Sequence, residues 1–292
     1  SRCFKEFSFF TFEKKIYDLN PDEINKMNPD IIFIFWSGIS QKEIILDFFN
    51  KYTKNSKILN CSELKKDIPE IFYEKQNSYC FYSDSGSKNN MYIPCINPKD
   101  YKTKFSGYKY TITFAGNPAF LTREKILSSL LYQYGHINIF CRSYDFYKSL
   151  DDMYKNKIMN DEYIDLYKNC YKGYIDSQLE LSQIYSSSKI NLDMENDNKK
   201  EINYRCMEIL ASGGFLIAPY TKKLIKYFDD GCDLETYTSI DNLIDKINFY
   251  LKNLNIAKLI SARGRKNVVN NFSFYDRLKT MLKVVYGKNI SN

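Results

Sequence analysis

A short apolar run, a turn of small residues and a helix-patterned stretch follow one another repeatedly between residues 31 and 286, and this alternation restricts what the chain can fold into. The run Ile31-Ile32-Phe33-Ile34-Phe35-Trp36 is apolar at every position, the pattern of a strand covered on both faces. Ser37-Gly38 turns the chain, and Ile44, Ile45, Phe48 and Phe49 then recur at helical spacing. Strands are expected at 57–61 and 78–82. Residues 91–101 carry two prolines and little periodicity, which marks a linker. The pattern restarts with a strand over 108–115 and a helix over 122–134. A strand at 137–141, a helix at 161–170, a loop at 171–176 and a helix at 177–186 follow. Next come a strand at 189–194, a helix from 204 and a strand at 215–218. A short helix near 221–228 and helices at 240–251, 256–270 and 274–286 complete the chain. Strands alternating with helices in two successive blocks predict a parallel α/β architecture with two Rossmann-like domains. Their expected bounds are 1–103 and 104–273, with a C-terminal helix over 274–292 that crosses back to the first domain.

Composition excludes several function classes. Of 292 residues, 42 are basic and 35 acidic, a net charge of +7 spread along the chain. That suits a phosphate-bearing small molecule, allows peripheral contact with an anionic membrane surface, and argues against nucleic acid, which would want a concentrated basic stripe. The eight cysteines include no Cys-x-x-Cys, and several sit within apolar runs, so they read as buried free thiols in a reducing compartment. One histidine, His136, cannot build a His-rich metal site. No apolar run reaches bilayer length. A cytoplasmic protein, at most peripheral to a membrane, is expected.

The most informative stretch is Tyr204-Arg205-Cys206-Met207-Glu208-Ile209-Leu210-Ala211-Ser212-Gly213-Gly214. Arg205 and Glu208 fall three apart, one turn from each other on the same helix face. Ser212, Gly213 and Gly214 end that helix with small residues and backbone N–H groups before a buried strand. Cation, carboxylate and glycine turn together suit a nucleotide: a carboxylate accepts from two adjacent ribose hydroxyls, and a planar guanidinium matches phosphate oxygens. Each residue also has an ordinary use, Glu208 and Arg205 as a surface ion pair and Gly213 as a helix end. Gly116 and Asn117 end the strand at which an open α/β sheet places ligand.

In order along the chain, these features resemble the spore-maturation CgeB-type glycosyltransferases, relatives of the retaining family-4 enzymes. The shared set is Thr113-Phe114-Ala115-Gly116 with a following Arg123, then Gly173-Tyr174-Ile175, the strand Ser188-Lys189-Ile190-Asn191-Leu192, Arg205-x-x-Glu208 with Ala211-x-Gly213-Gly214, and Gly231-x-x-x-Glu235-x-Tyr237. The likeness covers roughly residues 90–285. It implies a GT-B fold, two Rossmann-like domains facing across a cleft, with the first domain reduced or truncated, because the sequence begins near what looks like the second strand of such a domain, around residues 7–12.

The same resemblance implies a glycosyltransferase that takes a nucleotide-sugar donor, with no obligatory cofactor or metal, and a glycan, lipid-linked or protein acceptor. Glu208 would accept from the donor ribose and Arg205 would face the diphosphate. Tyr174 and Ile175, in the loop opened by Gly173, would wall the base and read it through their backbone polar groups, Gly116 would admit the diphosphate close to the backbone, and Lys189 would reach phosphate. Asp84, at the end of a first-domain strand, is the candidate base. Family-4 enzymes carry a second glutamate eight positions before the one matched by Glu208; Lys200 stands there. Two other readings remain open at this point: an inactive GT-B-like scaffold, and another Rossmann-like nucleotide-sugar enzyme such as an epimerase. An Asp-x-Asp metal motif is absent after any strand, Asp193-Met194-Glu195 being the nearest approach.

Overall fold

A computed structural model of the chain describes residues 31–36, 56–62, 68, 73, 76, 78–82, 94–101, 105–141, 145–156, 161–194 and 202–287. The chain divides into two compact units, one drawn from Ser1–Ile93 with Met281–Asn292, the other Pro94–Thr280. The expected features at residues 7–12, 37–51 and 84 lie outside the described residues.

In the first unit, strands β1 (Ile31–Trp36), β2 (Lys57–Ser62) and β3 (Ser78–Tyr82) form a parallel sheet in that order. Leu59 and Cys61 of the central strand pack against Met281 and Val285, which lie on the last turns of the C-terminal helix α8 (Phe274–Tyr286). Lys57 reaches toward the carbonyl of Val285 and lies over the rings of Tyr79 and Tyr286.

The second unit holds six strands: β4 (Tyr110–Ala115), β5 (Asn138–Cys141), β6 (Tyr171–Tyr174), β7 (Ser188–Leu192), β8 (Leu216–Pro219) and β9 (Glu235–Tyr237). All neighbours are parallel and the spatial order is β6-β5-β4-β7-β8-β9. Chain order therefore runs outward from β4 through β5 to β6, then reverses and runs outward from β7. This is the doubly wound Rossmann arrangement, and it leaves a crevice at the carboxyl ends of β4 and β7, where the order switches.

Helices α1 (Leu121–Tyr134), α2 (Phe146–Lys155), α3 (Asp161–Cys170), α4 (Gln178–Ser186), α5 (Tyr204–Ala211), α6 (Ile240–Lys252) and α7 (Leu254–Asn271) cover the sheet. On one side α1 meets α6; on the other α5 packs against α4 and α7. The main core joins Phe114, Leu127, Leu130, Ile139, Ile190, Leu192 and Ile217 of sheet and α1 to Leu243 and Ile247 of α6. Burying apolar surface on both faces explains why the central strands read as continuous apolar runs.

Three local expectations are corrected. Residues 171–176 are not wholly loop: Tyr171–Tyr174 is an edge strand whose exposed alternate residues made it look irregular. Residues 221–228 form successive turns rather than a helix. Residues 146–155, to which the sequence reading assigned nothing, form α2. Asp145 caps it by accepting from the Lys148 N–H, and Phe146, Leu150 and Met153 lie buried at helical spacing.

Candidate functional site

At the switch point β7 ends and Asp193 follows, 4% exposed, a carboxylate inside the sheet's ligand edge. Asn203 caps α5 by accepting from the Cys206 N–H, and its side-chain amide donates to both Asp193 oxygens at 2.8 and 2.7 Å. Cys206 donates its thiol to Asp193 Oδ2 at 3.1 Å. Burial, and then the neighbouring Asp193, push that thiol's pKa well above its ordinary value, so it stays a neutral donor. The carboxylate also stands at the N-terminal end of α5, where the helix dipole favours negative charge.

Arg205, in the first turn of α5, reaches across to β4. Its Nη1 donates to Asp193 Oδ1 at 2.7 Å, its Nε donates to the Ala115 carbonyl at 2.7 Å, and its guanidinium carbon lies 4.8 Å from the Phe114 ring centroid. Its remaining nitrogen, Nη2, donates to none of the described residues and occupies the place that a Cβ on residue 116 would need. Gly116 is thus required here by the guanidinium above it. Burial, the largest single influence, works against the charge of Arg205, whose side chain is 14% exposed, but Asp193, with Tyr185 and Cys206 adding to it, holds the pKa above the ordinary arginine value.

A second guanidinium supports the crevice. Arg123 of α1 is buried, with Nη1 donating to the Asn117 carbonyl at 2.8 Å and Nη2 to the Met194 carbonyl at 3.2 Å. It therefore ties together the loops that leave β4 and β7. Its guanidinium lies over Phe120 and Phe114, so Phe114 has a cation near it from each helix. Two guanidinium groups against one buried carboxylate make this edge of the sheet attractive to anions.

The sequence-selected residues are distributed unequally about this crevice. Arg205, Gly116 and Asn117 are brought together. Asn117 holds its loop rather than offering its side-chain carbonyl, which accepts from the Ala119 N–H at 2.9 Å. Glu208 lies one turn along α5, half-buried. Gly173, Tyr174 and Ile175 stand at the carboxyl end of β6, two strands from β4 and so about 10 Å along the same edge. Tyr174 is 51% exposed and Gly173 has φ 129°; the Ile175 N–H, expected to face the base, is engaged by the Cys141 carbonyl at 2.9 Å.

Four of the selected residues belong elsewhere. Lys189 lies at the opposite end of β7 from Asp193. Ser212, Gly213 and Gly214 close α5 at its C-terminus, and their N–H groups donate to Glu208, Leu210 and Ile209 carbonyls at 3.0 Å each. They have no N–H group left for a ligand. Gly213 takes a left-handed φ of 75°, and a Cβ on Gly214 would collide with the Asn191 amide and the Tyr185 carbonyl. These glycines are a helix cap and a close packing contact. Asp84 lies outside the described residues.

The sequence alone offered Asp193 only as the nearest approach to a metal motif, and Asn203 not at all. Their signal was a polar residue directly after an apolar strand, followed by an Asn one residue before the helix. Glu235 and Tyr237, noted in the sequence pattern, are strand residues of β9. Glu235 pairs with Lys246 at 2.6 Å and accepts from Tyr250, and Tyr237 donates to the Asp193 carbonyl at 3.3 Å. Among the described residues no group of three or more His, Cys, Asp or Glu side chains stands ready for a metal ion, and no helix is long and apolar enough to cross a membrane.

The sequence profile described as glycosyl transferase-like matches residues 123–283, from Arg123 at the crevice to the last helix. The chain belongs to the glycosyl transferase-like family. Solved structures agree in fold. A glycosyltransferase from Rickettsia africae ESF-5 superposes with a TM-score of 0.64 at 14% identity, over 96% of this chain and 84% of that one. S. aureus TarM gives 0.60 at 13% identity, over 91% of this chain and 57% of its own length. Anabaena Alr3699/HepE, solved with UDP and glucose, gives 0.56 at 10% identity, over 89% and 71%. No curated protein matches the sequence. The fold is the α/β fold of GT-B glycosyltransferases, and this family member is a transferase enzyme.

Proposed function

We propose that the unit Pro94–Thr280 binds a nucleotide-sugar donor at the β4/β7 crevice, and that the protein transfers the sugar to a hydroxyl-bearing acceptor without an obligatory metal. One observation carries this reading: the Arg205 guanidinium is fixed at the switch point with Nη2 turned to Gly116, beside the second guanidinium of Arg123. A cation so placed suits the diphosphate of a donor. In the transfer, the bond between the anomeric carbon and the diphosphate oxygen breaks, and its electron pair leaves with the diphosphate. The acceptor oxygen bonds to the anomeric carbon and its proton passes to the departing diphosphate. Arg205 lowers the barrier by countering the charge that grows on the leaving diphosphate. Glu208, one turn along the helix, accepts from the ribose hydroxyls. HepE, of the same fold, was solved with UDP and glucose, which supports a uridine nucleotide as the first donor to try. The order of motifs from Gly116 to Tyr237 supports a CgeB-type member of the family.

Calorimetric and thermal-shift titrations with UDP, GDP, ADP and CMP and their sugars test the proposal. Binding of one of them, weakened by Glu208→Ala and by Arg205→Gln, is the expected result. A protein that responds to none is no donor-binding transferase. A response untouched by either substitution moves the donor away from α5.

A further inference from the structure

The donor reading uses Arg205 but leaves unexplained why a carboxylate is buried beside it. Asp193 is 4% exposed and makes four hydrogen bonds, from Asn203 twice, Arg205 and Cys206. An acid so enclosed has no room for a ligand, so its effect on a donor must pass through what it holds. Arg205 is a long side chain with several rotatable bonds, and an anion would have to order it on binding. Here the ordering is done in advance. Asp193 grips Nη1 and the Ala115 carbonyl grips Nε, two contacts 12 and 90 residues away in sequence. With those nitrogens fixed, the plane of the guanidinium is fixed too, and Nη2 has one direction left, toward Gly116.

We infer that Asp193 is a positioning residue for the donor diphosphate, acting by holding the Arg205 guanidinium in its binding orientation before the donor arrives. The inference rests on the donor reading. Asp193 does not itself touch the donor. Asn203 and Cys206 serve it in turn: both donate to the carboxylate and keep it hydrogen-bonded without neutralising it, so its charge is directed at Arg205 alone.

Two measurements on the full chain test this. The first uses no ligand. The Nε–H signal of Arg205 in a side-chain proton–nitrogen correlation spectrum, assigned by its disappearance in Arg205→Lys, should be sharp in the wild type and broadened or lost in Asp193→Asn. The second titrates UDP and uridine into wild type, Asp193→Asn, Arg205→Gln and the double variant. Asp193→Asn should weaken UDP by about tenfold or more and leave uridine within about twofold, and the double variant should bind UDP no worse than Arg205→Gln. Folding is controlled by thermal melting, with Cys206→Ser as a second variant that keeps the carboxylate.

An unchanged Nε–H signal in Asp193→Asn overturns the proposal. So does an equal loss for UDP and uridine, or losses from Asp193 and Arg205 that simply add, because those mark a general structural role. If the wild type binds no nucleoside diphosphate while the Nε–H signal still depends on Asp193, the donor reading fails and the hold of Asp193 on Arg205 stands.

Discussion

Arg205 Nη2 occupies the space above Gly116 in which any other residue would place its Cβ. The same Cβ would also press on the Phe114 ring at 3.1 Å. Gly116→Ala therefore forces the guanidinium off the Ala115 carbonyl or the strand end out of register. Such overpacking costs roughly 1–3 kcal/mol. Beyond a modest fall in melting temperature, nucleoside diphosphate binding should drop by about tenfold, since Arg205 loses one of its two fixed contacts. Titration of Gly116→Ala against wild type checks this. Wild-type affinity in that variant would mean that Arg205 does not bind from this position.

A second glycine makes a separate prediction about stability. Gly264 on α7 lies where a Cβ would run into the Asp233 carbonyl and the Leu210 side chain of α5. Both the backbone of the loop before β9 and the helix carrying Arg205 depend on this close approach. Gly264→Ala should lower unfolding stability by about 1–3 kcal/mol, against the usual gain of replacing a helix glycine by alanine. Denaturant unfolding measures it directly; a stabilised variant would show that α7 does not pack this closely on α5.

Glu235 offers the contrasting case of an acid whose interactions face the protein. It accepts from Tyr250 and pairs with Lys246, and Lys246 also donates to the Thr236 carbonyl. Burial first, and then Glu235, push the Tyr250 hydroxyl pKa far up, so it is a neutral donor at any physiological pH. Tyr250→Phe should cost on the order of 1–3 kcal/mol of stability, as for a hydrogen bond to a charged group, and leave nucleotide affinity unchanged. A loss of affinity at unchanged stability would instead assign β9 a contact with the donor.

Thiol chemistry supplies a test with a pH sign. Cys61, Cys80, Cys95, Cys141, Cys170 and Cys206 are buried thiols outside any disulfide, whereas Cys232 is exposed. Burial pushes Cys80 up to about 11 and, with Asp145 adding to it, Cys141 up to about 12. A raised thiol pKa leaves the nucleophilic thiolate scarce until the pH approaches that value. In native protein at pH 8, a thiol-alkylating reagent should therefore label Cys232 and spare these six, and all should react after denaturation. Mass mapping with Cys232→Ser as control decides it. Native labelling of Cys206 would contradict the closed Asp193 cluster.

The sequence already contained the elements of the second unit in nearly their observed places. The runs around Ile112, Ile139, Ile190 and Ile217 announce buried parallel strands because helices cover both faces of the sheet. Phe146, Leu150 and Met153 carried a helix signal as plain as any, and it was overlooked. β6 and β9 escaped for a physical reason: short strands at sheet edges need no continuous apolar run, and pairing with β5 and β8 holds them.

By itself the sequence determined a doubly wound α/β chain with Arg205 and Glu208 on one helix and a glycine after the first strand of the second unit. Only the tertiary structure decided which residues share the crevice. In a parallel sheet the ligand edge is set by strand ends, so Lys189 at the start of β7 and Asp193 at its end are separated by the strand's length, although four residues apart. Likewise Ser212, Gly213 and Gly214 belong to the C-terminus of α5, with their N–H groups already bonded, while Arg205 at its N-terminus meets Ala115, 90 residues earlier. That meeting depends on β4 and β7 pairing side by side, a long-range contact that no local spacing along the chain encodes.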